Sequence, residues 1–397
     1  MKILYLSYWG ANEGISSSTV LPHLHILAEN ALVESILFCS VERADWSEVK
    51  IPKVAHRPLI SKTRANVFFT KINDFIKFPC IISQLCKQNK IQLIIARSPL
   101  AGAIGFMAAK MHRIPFVVES FEPHGISMVE SGVWSRWDPR YLIERWFENQ
   151  QKRKADFIVT VSSHYLKKLE REGVERQRLW CVPCCVSLKD FAFDGTVRSL
   201  MRRALEISAD TVAGIYVGKF GGIYYDEDAF ALYAGAFSHF RNFHLIILTG
   251  DDHSFVTARL KKAGIDLRRV TLRSVPHHEV PKYLSAADFA FSTIKPVPSR
   301  LFCSPIKNGE YWANGLPILL EPGIGDDSDI IKTEGGGVLL HRNDIKNSFK
   351  ELSVLLKNGR ERNVATISRL AAKYRDMTLV KNGYDLLLNK ISSSSGV

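Results

Sequence analysis

A polar run that begins at Ser304 carries the side chains best suited to binding an anionic ligand. Ser304 and Pro305 predict the start of a helix, with Ser304 as its N-cap and Pro305 in its first turn. The free N–H groups of that turn would favour a phosphate, and Lys307, which opposes the helix dipole there, would gain from an external anion. Glu310 could accept hydrogen bonds from the hydroxyls of a sugar or ribose. An ordinary capped helix with Lys307 and Glu310 in solvent explains these residue types equally well.

A second polar segment, with Glu122 and His124, follows the predicted strand Pro115–Glu119. Ligands of parallel α/β sheets bind beyond the carboxyl ends of the strands, so this segment is predicted to lie at a ligand site. His124 could bind a sugar, and Glu122 could orient it or contact an acceptor hydroxyl. A structural or surface role for a single loop histidine is the open alternative.

Gly10 and Gly14, in the turn after the first strand, would let the backbone approach a ligand closely or would simply form a flexible turn. The turn lacks the regular spacing of three glycines that binds a dinucleotide. No acidic residue plainly ends the second strand, which is predicted as Val33–Cys39. Both features argue against a Rossmann dehydrogenase.

Three groups of potential metal ligands have ordinary structural interpretations. Cys181, Cys184 and Cys185 lack a second ligand pair at zinc-finger spacing and are predicted to be buried at the end of a strand. The acidic residues at 326–329 are predicted to begin a helix, whose N-terminus they stabilise. The segment 277–279, with two histidines and a glutamate, is predicted to be a helix cap. We therefore expect no metal site.

Short apolar strands alternate with longer amphipathic helices, which predicts parallel strands joined by helical crossovers. The strands predicted in the first half are Ile3–Ser7, Val33–Cys39, Leu93–Ala96, Pro115–Glu119, Phe157–Val161 and Leu179–Val182. Those predicted in the second half are Ala213–Val217, Leu245–Thr249, Val270–Leu272, Phe289–Thr293, Pro317–Leu320 and Val338–Leu340. The helices that position the residues above are predicted at Ser18–Asn30, Ala65–Lys87, Tyr141–Lys152 and Ser163–Glu172, among others. The fold class is therefore α/β, with two doubly wound sheets.

The length and composition fit two globular domains. The chain has 397 residues, of which 46% are hydrophobic and 23% charged, and this excludes disordered, collagen-like and coiled-coil proteins. No apolar run approaches the roughly 20 residues of a membrane span. The seven cysteines, an odd number in a large chain, favour a reducing compartment, so a cytoplasmic location is expected.

The formal net charge of +13 favours anionic partners. Two segments combine basic and aromatic residues, Lys62–Lys77 and Arg136–Lys154. Such a composition suits contact with anionic lipid head groups, although aromatic core residues beside solvated lysines are the alternative. Because no nucleic-acid-binding module is apparent, an anionic membrane surface is the better prediction.

Several stretches of the chain resemble retaining glycosyltransferases of family four, which have the GT-B fold. The family pattern Pro-x-Lys-x-x-Glu-Tyr-x-Ala-x-Gly-x-Pro is present from Pro305 to Pro317. Further matches, in the family's order, are Val161–Ser162, Val182–Ser187 with Phe191, Tyr216–Phe220 and Ala286–Asp288. The ordered set is specific for the superfamily and says little about the substrate.

The resemblance implies two Rossmann-like domains that face a central cleft: an acceptor-side domain at 1–190 and a nucleotide-sugar-binding domain at 191–366. Residues 367–397 would form a helix that returns to the first domain, followed by a frayed tail. The implied activity is transfer of a sugar, with retention, from a nucleotide-sugar to a glycan or lipid-linked acceptor in surface polysaccharide or glycoconjugate biosynthesis. No cofactor or metal is implied, and the enzyme would be cytoplasmic or peripheral on the inner face of the cell membrane.

The resemblance also assigns roles to residues. Lys219 and Lys307 would neutralise the departing nucleoside diphosphate, and Glu310 would hold the donor ribose. The remaining donor-binding residues would be Gly14, Gly218, Arg273, Val275, Ser304, Pro305 and Ile306, with Arg273 and Val275 against the base. His124 would act at the sugar and, with Glu122, on the acceptor side. The family has no agreed nucleophile, so no general base is assigned.

Two departures from the family pattern keep alternatives open. Many members have a glutamate eight positions before the one that corresponds to Glu310, and Phe302 occupies that position here. Ser304 or backbone groups would have to substitute for it. Tyr224 and Tyr225 occupy the region of a lysine in the family, so Lys307 would supply that charge. The alternatives are a nucleotide-sugar epimerase or hydrolase of the same fold, and a non-catalytic basic protein that binds a membrane or nucleic acid.

Overall fold

The computed structural model describes residues 1–62 and 67–395, which form two compact units. One unit comprises Met1–Pro183 together with Thr378–Val397, and the other is Cys184–Met377. The boundaries predicted at 190/191 and 366/367 both lie inside the second unit. The physical reason is burial: Val186, Phe191 and Ile367 all belong to the apolar core of that unit.

The first unit contains a parallel sheet with the strand order β3-β2-β1-β5-β6-β7-β8, and β4 also pairs with β2. Strands β1 to β8 are Lys2–Ser7, Ser35–Glu42, Val54–His56, Leu59–Ile60, Leu93–Arg97, Phe116–Ser120, Phe157–Thr160 and Leu179–Cys181. Helices α1 to α7 are Gly14–Thr19, Leu21–Glu29, Val67–Asn89, Pro99–His112, His124–Glu130, Pro139–Lys154 and Ser163–Arg171. Helices cover both faces of such a sheet, so its strands read as continuous apolar runs.

Two predictions in the first unit are wrong in detail. The helix predicted at Ser18–Asn30 is two helices, α1 and α2, because Pro22 lies in the first turn of α2 and cannot continue a preceding helix. Strand β2 ends on an acidic residue after all: Glu42 is buried, and it accepts a hydrogen bond from the Ala11 N–H at 2.8 Å. A Cβ at Gly10 would lie 2.6 Å from the Glu42 carboxylate, so any larger residue there would force this carboxylate to move.

The second unit contains a parallel sheet with the strand order β11-β10-β9-β12-β13-β14. Strands β9 to β14 are Val212–Val217, Phe243–Leu248, Val270–Arg273, Phe289–Ser292, Ile318–Leu320 and Gly337–Leu339. Helices α8 to α15 are Gly195–Ala204, Glu227–His239, His253–Lys262, Val280–Ala286, Ile306–Ala313, Gly325–Glu334, Ile345–Leu356 and Arg360–Tyr374. Two apolar clusters form the core of this unit, and α12 is buried from Lys307 to Ala313.

The last helix, α16 (Met377–Ser395), returns to the first unit. Its Tyr384 donates a hydrogen bond to the buried carboxylate of Glu119, which also accepts hydrogen bonds from Tyr5 at 2.9 Å and from Arg97 at 2.6 Å. Burial raises the pKa of Glu119, but Arg97 and the hydrogen bonds from His23 and Tyr384 outweigh it and hold that pKa well below its ordinary value. The carboxylate therefore stays charged and fixes α16 to the first sheet.

Strand prediction succeeded along the chain, with ends displaced by a few residues. Strands β3 and β4 were not predicted because they are only three and two residues long. The predicted frayed tail is helical as far as Ser395, and Gly396 lies outside the described residues, as do Ala65 and Arg64 near the start of α3. Among the helices that the structure describes, none combines the length and apolar character that a bilayer-spanning segment requires.

Candidate functional site

Helix α12 begins one residue later than predicted, with Pro305 as its N-cap and no side chain that caps it. Ser304 is therefore not the N-cap. Its hydroxyl accepts a hydrogen bond from the Cys184 N–H at 3.1 Å and another from Arg375, whose guanidinium also pairs with the buried Asp327. Ser304 thus ties the start of α12 to the preceding and following segments of the unit, and the first helical residue is Ile306.

Lys307 lies in the first turn of α12 with its ammonium group buried. Among the described residues, no group accepts a hydrogen bond from Nζ, which lies 4.0 Å from the ring centre of Tyr224 and 4.9 Å from that of Tyr216. Burial lowers the pKa of Lys307 to about 7, against an opposing effect of Glu310. The aromatic rings attract the cation but do not satisfy its three donors.

Gly218 follows β9 and lies against Lys307. A Cβ on Gly218 would be 2.7 Å from Lys307 Nζ, and its φ of +144° is one that glycine adopts readily, so any other residue would be strained there. The structure therefore brings together Gly218 and Lys307, which are distant in sequence. The Lys219 side chain is exposed, and its carbonyl accepts a hydrogen bond from Tyr216.

Glu310 lies one turn after Lys307 and is buried, with a hydrogen bond of 2.8 Å between its Oε1 and His277 Nε2. This hydrogen bond raises the pKa of His277, more strongly than partial burial lowers it. The prediction of 277–279 as a helix cap is confirmed in position, since these residues form a 3₁₀ turn that ends at Glu279, the N-cap of α11, although no side chain makes a capping hydrogen bond. His277 was not predicted to be part of this site, although the carboxyl end of β11 lies only four residues earlier.

The two residues predicted to lie against a base differ in environment. Arg273 is exposed and is the last residue of β11, not part of the loop. Val275 follows in the loop and packs against the apolar core. Val275 therefore lies on the short segment between the end of β11 and His277.

Together these residues form a site with one buried cation, one buried carboxylate and an exposed imidazole. The N–H groups of the first turn of α12 and the Lys307 ammonium favour a bound anion, because an anion compensates both the helix dipole and the buried charge. The Glu310 carboxylate can accept hydrogen bonds from hydroxyl groups, and His277 fixes its position. Such a set suits a ligand that carries both phosphate and hydroxyl groups.

In the first unit, His124 is the first residue of α5, and its Nδ1 lies 2.6 Å from Glu144 Oε1 on α6. Burial lowers the pKa of His124, but Glu144 and the carboxylates of Glu122 and Glu148 outweigh it, so this pKa lies above its ordinary value. Burial and Glu144 raise the pKa of Glu148 to about 7. Glu122 accepts a hydrogen bond from Ser127 at 2.9 Å. Gly14, which was predicted to bind the donor, is the exposed first residue of α1.

The Glu144→Gln variant is expected to lose stability at low pH and not at high pH. Since the folded-state pKa of His124 is raised, its ion pair with Glu144 stabilises the protein fully below the unfolded pKa of about 6.5, and the stabilisation disappears as pH rises through the folded value. We expect a loss of about 1 kcal/mol in the free energy of unfolding near pH 5.5. Near pH 8.5 the variant should equal or exceed the wild type, because the repulsion between Glu144 and Glu148 is removed.

Urea denaturation of the wild type, Glu144→Gln, His124→Asn and the double variant at both pH values checks this expectation. The coupling energy should be larger at the lower pH, where His124 is charged, than at the higher one, where only a neutral hydrogen bond remains. Equal coupling at both pH values would contradict a charged His124–Glu144 pair.

Among the potential metal ligands, the acidic segment lies where it was predicted, but not all of the cysteines are buried as predicted. Asp326 and Asp327 lie in the first turn of α13, as predicted. Cys185 is buried, whereas Cys181 and Cys184 are only partly so. Within residues 1–62 and 67–395, no three His, Cys, Asp or Glu side chains gather in a way that could hold a metal ion, and metal independence stays a prediction.

The sequence of residues 45–185 matches the family model of the glycosyl transferase 4-like domain. The match lies mainly in the first unit, and it confirms the resemblance to glycosyltransferases of this type. A comparison with curated proteins finds no match.

Solved structures of similar fold cover almost the whole chain. The Anabaena protein HepE, in complex with UDP, has a TM-score of 0.72 at 13% identity and covers 98% of this chain and 100% of its own. Sucrose-phosphate synthase from Thermosynechococcus elongatus has a TM-score of 0.75 at 15% identity, with 99% and 100% covered. The lipopolysaccharide outer core galactosyltransferase WaaB has a TM-score of 0.65 at 16% identity, with 98% and 100% covered.

These likenesses confirm the predicted fold class, an α/β fold with two Rossmann-like domains of the GT-B type. Together with the family match, the fold supports glycosyl transfer as the class of reaction.

Proposed function

We propose that the protein transfers a sugar from a nucleotide-sugar to a glycan or lipid-linked acceptor, with retention and without a metal. The observation that carries this proposal is the buried ammonium group of Lys307 beside Gly218, for which no hydrogen-bond acceptor exists among the described residues. A buried, unsatisfied cation costs stability, and a bound diphosphate would compensate it. Surface polysaccharide or glycoconjugate biosynthesis is the setting that such a reaction would serve.

In the second unit, Lys307 and Lys219 would neutralise the diphosphate as the bond to the sugar breaks. Gly218, Pro305 and Ile306 would let backbone groups approach the phosphates closely. Glu310 would accept hydrogen bonds from the ribose hydroxyls, with His277 holding it in position.

Arg273 and Val275 would lie against the base, and Ser304 would act only by fixing the start of α12. In the first unit, His124 would contact the sugar, with Glu122 on the acceptor side. The hydrogen bond from His124 to Glu144 supports this role, because it fixes the orientation of the ring and leaves Nε2 for a ligand.

UDP is the first donor nucleotide to test, because structures of HepE hold UDP and UDP-glucose. A thermal-shift screen of UDP, GDP, ADP and CMP-linked sugars should single out one nucleotide. Binding stabilises the folded state by about 2.7 kcal/mol at a ligand concentration 100 times the dissociation constant. A failure of every nucleotide to raise the melting temperature would overturn the proposal and favour a non-catalytic membrane-binding protein.

An epimerase or hydrolase of the same fold is the second candidate, because Phe302 occupies the position of the first family glutamate. NMR analysis of the products, with and without an acceptor, separates the two. Transfer requires the acceptor, whereas an epimerase changes the donor sugar without one.

We propose an anionic membrane surface as a further partner, through the outward face of α6. This helix buries Glu144, Glu148 and Gln151 and exposes Leu142, Ile143 and Trp146. Trp137, just before α6, is 87% exposed. The exposed Arg136 and Arg145 flank these apolar groups, and an anionic bilayer complements both features. A peripheral location at the inner face of the membrane would follow.

The Trp137→Ser/Trp146→Ser variant is expected to bind vesicles of phosphatidylglycerol at least about tenfold more weakly than the wild type, because two interfacial anchors are lost. Trp46→Ser is the matched control, since Trp46 is also an exposed tryptophan of the first unit, at 40%. Sedimentation with vesicles measures the effect. Equal binding by the double variant and the control would exclude this face of α6.

A further inference from the structure

The first unit contains an open cavity of about 480 Å³ at the amino ends of its parallel strands. It lies between the end of α6, the segment before β8 and the end of α16, and Pro115 and Phe157 line it where β6 and β7 begin. His124 follows the opposite, carboxyl end of β6. The cavity is therefore a different place from the site proposed around His124.

The charge of this cavity is strongly positive. Arg153, Lys154, Arg178 and Lys390 line it, against a single carboxylate, that of Asp156. Asp156 Oδ2 already accepts a hydrogen bond from the Phe116 N–H at 2.8 Å. An anion in the cavity would therefore lie near four cations and one carboxylate, and an oxygen of that carboxylate is already hydrogen-bonded to the backbone of β6.

Two of the four cations are fixed by the fold. Arg178 donates hydrogen bonds to the carbonyl groups of Lys152, at 3.0 Å, and Ala155, which satisfies the end of α6. Lys390 donates to the Gln177 carbonyl at 2.8 Å and lies 5.4 Å from the ring centre of Phe157. These contacts hold positive charge at the wall of the cavity.

The other two cations, Arg153 and Lys154, are exposed in the last turn of α6. Neither forms an ion pair with another residue of the described chain. Their side chains can turn toward the cavity without breaking a contact that stabilises the fold. A guanidinium group matches the oxygen atoms of a phosphate in geometry, and an ammonium group adds charge.

We propose that this cavity binds the phosphate group of a phosphate ester. Arg153 and Lys154 would bind the phosphate oxygens, Arg178 and Lys390 would provide a fixed positive potential, and the rest of the ligand would lie on Phe157 and Ile391. The volume admits a ligand larger than phosphate itself. A lipid head group and a soluble phosphate ester share this chemistry, and the inference does not depend on the proposed transfer reaction.

Hydrogen–deuterium exchange of the full chain with inorganic pyrophosphate tests the proposal, because it reports where the anion binds. We expect protection of the backbone at 153–157 and 176–180, in addition to any protection at 305–311. The Arg153→Gln/Lys154→Gln variant should bind at the first two segments roughly tenfold more weakly. The Lys50→Gln/Lys87→Gln variant, with the same change of charge at exposed positions, should bind like the wild type.

Vesicles of phosphatidylglycerol and of phosphatidylcholine distinguish the sources of the phosphate. Protection of the same segments by pyrophosphate and by the anionic vesicles identifies a lipid head group, and protection by pyrophosphate alone identifies a soluble ester. Absence of protection by pyrophosphate, or equal protection in the variant and the wild type, would overturn the phosphate site. Protection at 305–311 is a separate readout, so failure of the donor site and failure of this cavity can be told apart.

Discussion

The Lys307→Met variant is expected to be more stable than the wild type and to lose glycosyl transfer. Lys307 carries a buried ammonium group without a hydrogen-bond acceptor among the described residues, and methionine fills a similar volume without a charge. We expect the free energy of unfolding to rise by about 1–4 kcal/mol near pH 7. Transfer should fall by at least about 100-fold, because the charge that stabilises the departing diphosphate is removed.

The stability gain of the Lys307→Met variant should fall as pH rises, because burial lowers the pKa of Lys307 in the wild type. Its pKa is about 7 in the folded protein, against an ordinary value of 10.5. Between these values the unfolded chain holds a proton that the folded chain has released, so the free energy of unfolding of the wild type rises with pH. The advantage of Lys307→Met should therefore be largest at or below pH 7 and should disappear toward pH 10.5.

Chemical denaturation across this pH range, with transfer assays on the same samples, measures both effects. Lys332→Met is the matched control, because Lys332 is an exposed lysine of α13 in the same unit. The control should change neither stability nor transfer appreciably. A Lys307→Met variant that loses stability and keeps transfer would show that the lysine serves the fold and not the site.

The Glu310→Gln variant is expected to bind the donor about 10–100-fold more weakly, mainly as a rise in KM for the donor. The change removes the charged acceptor of the proposed hydrogen bond from the ribose and of the observed hydrogen bond with His277. Hydrogen bonds to charged groups contribute about 1.5–3 kcal/mol each. The pKa of His277 should also fall, because its hydrogen bond to Glu310 raises it in the wild type.

Donor titrations and an NMR titration of the histidine side chains check these two outcomes. Glu279→Gln provides the control, since Glu279 is a nearby carboxylate that pairs with Lys282. If Glu310→Gln lowers the pKa of His277 and leaves donor binding unchanged, the pair is structural and the ribose contact is wrong.

The fold could be predicted from the sequence because parallel strands that are covered on both faces leave continuous apolar runs. Strands β1 and β10 show this pattern, and both were predicted within two residues of their ends. Glu42 escaped prediction because it is polar, yet its backbone extends β2 by pairing with β4, and its buried carboxylate accepts a hydrogen bond from the Ala11 N–H. Domain boundaries depend on which core a segment packs against, and Ile367 carries no such signal in its sequence.

The candidate site could be predicted only in part. The Pro305–Pro317 pattern identified Lys307 and Glu310, but the burial of the Lys307 ammonium group depends on Tyr216 and Tyr224, which are distant in sequence. Ser304 follows the ordinary preference for an N-cap, yet Arg375 and the Cys184 N–H compete for its hydroxyl. His277 could not be predicted because only the fold brings the segment that follows β11 to Glu310 of α12.

Calorimetric titration of UDP, or of whichever nucleoside diphosphate stabilises the protein most, tests the central claim most directly. At about pH 8 the unbound Lys307 is mostly neutral, and a diphosphate beside it must raise its pKa. Titrations in two buffers of different ionisation enthalpy should therefore show uptake of close to one proton per ligand in the wild type and none in Lys307→Met, which should also bind more weakly. Equal affinity and equal proton uptake in both proteins would contradict the assignment of Lys307 to the diphosphate.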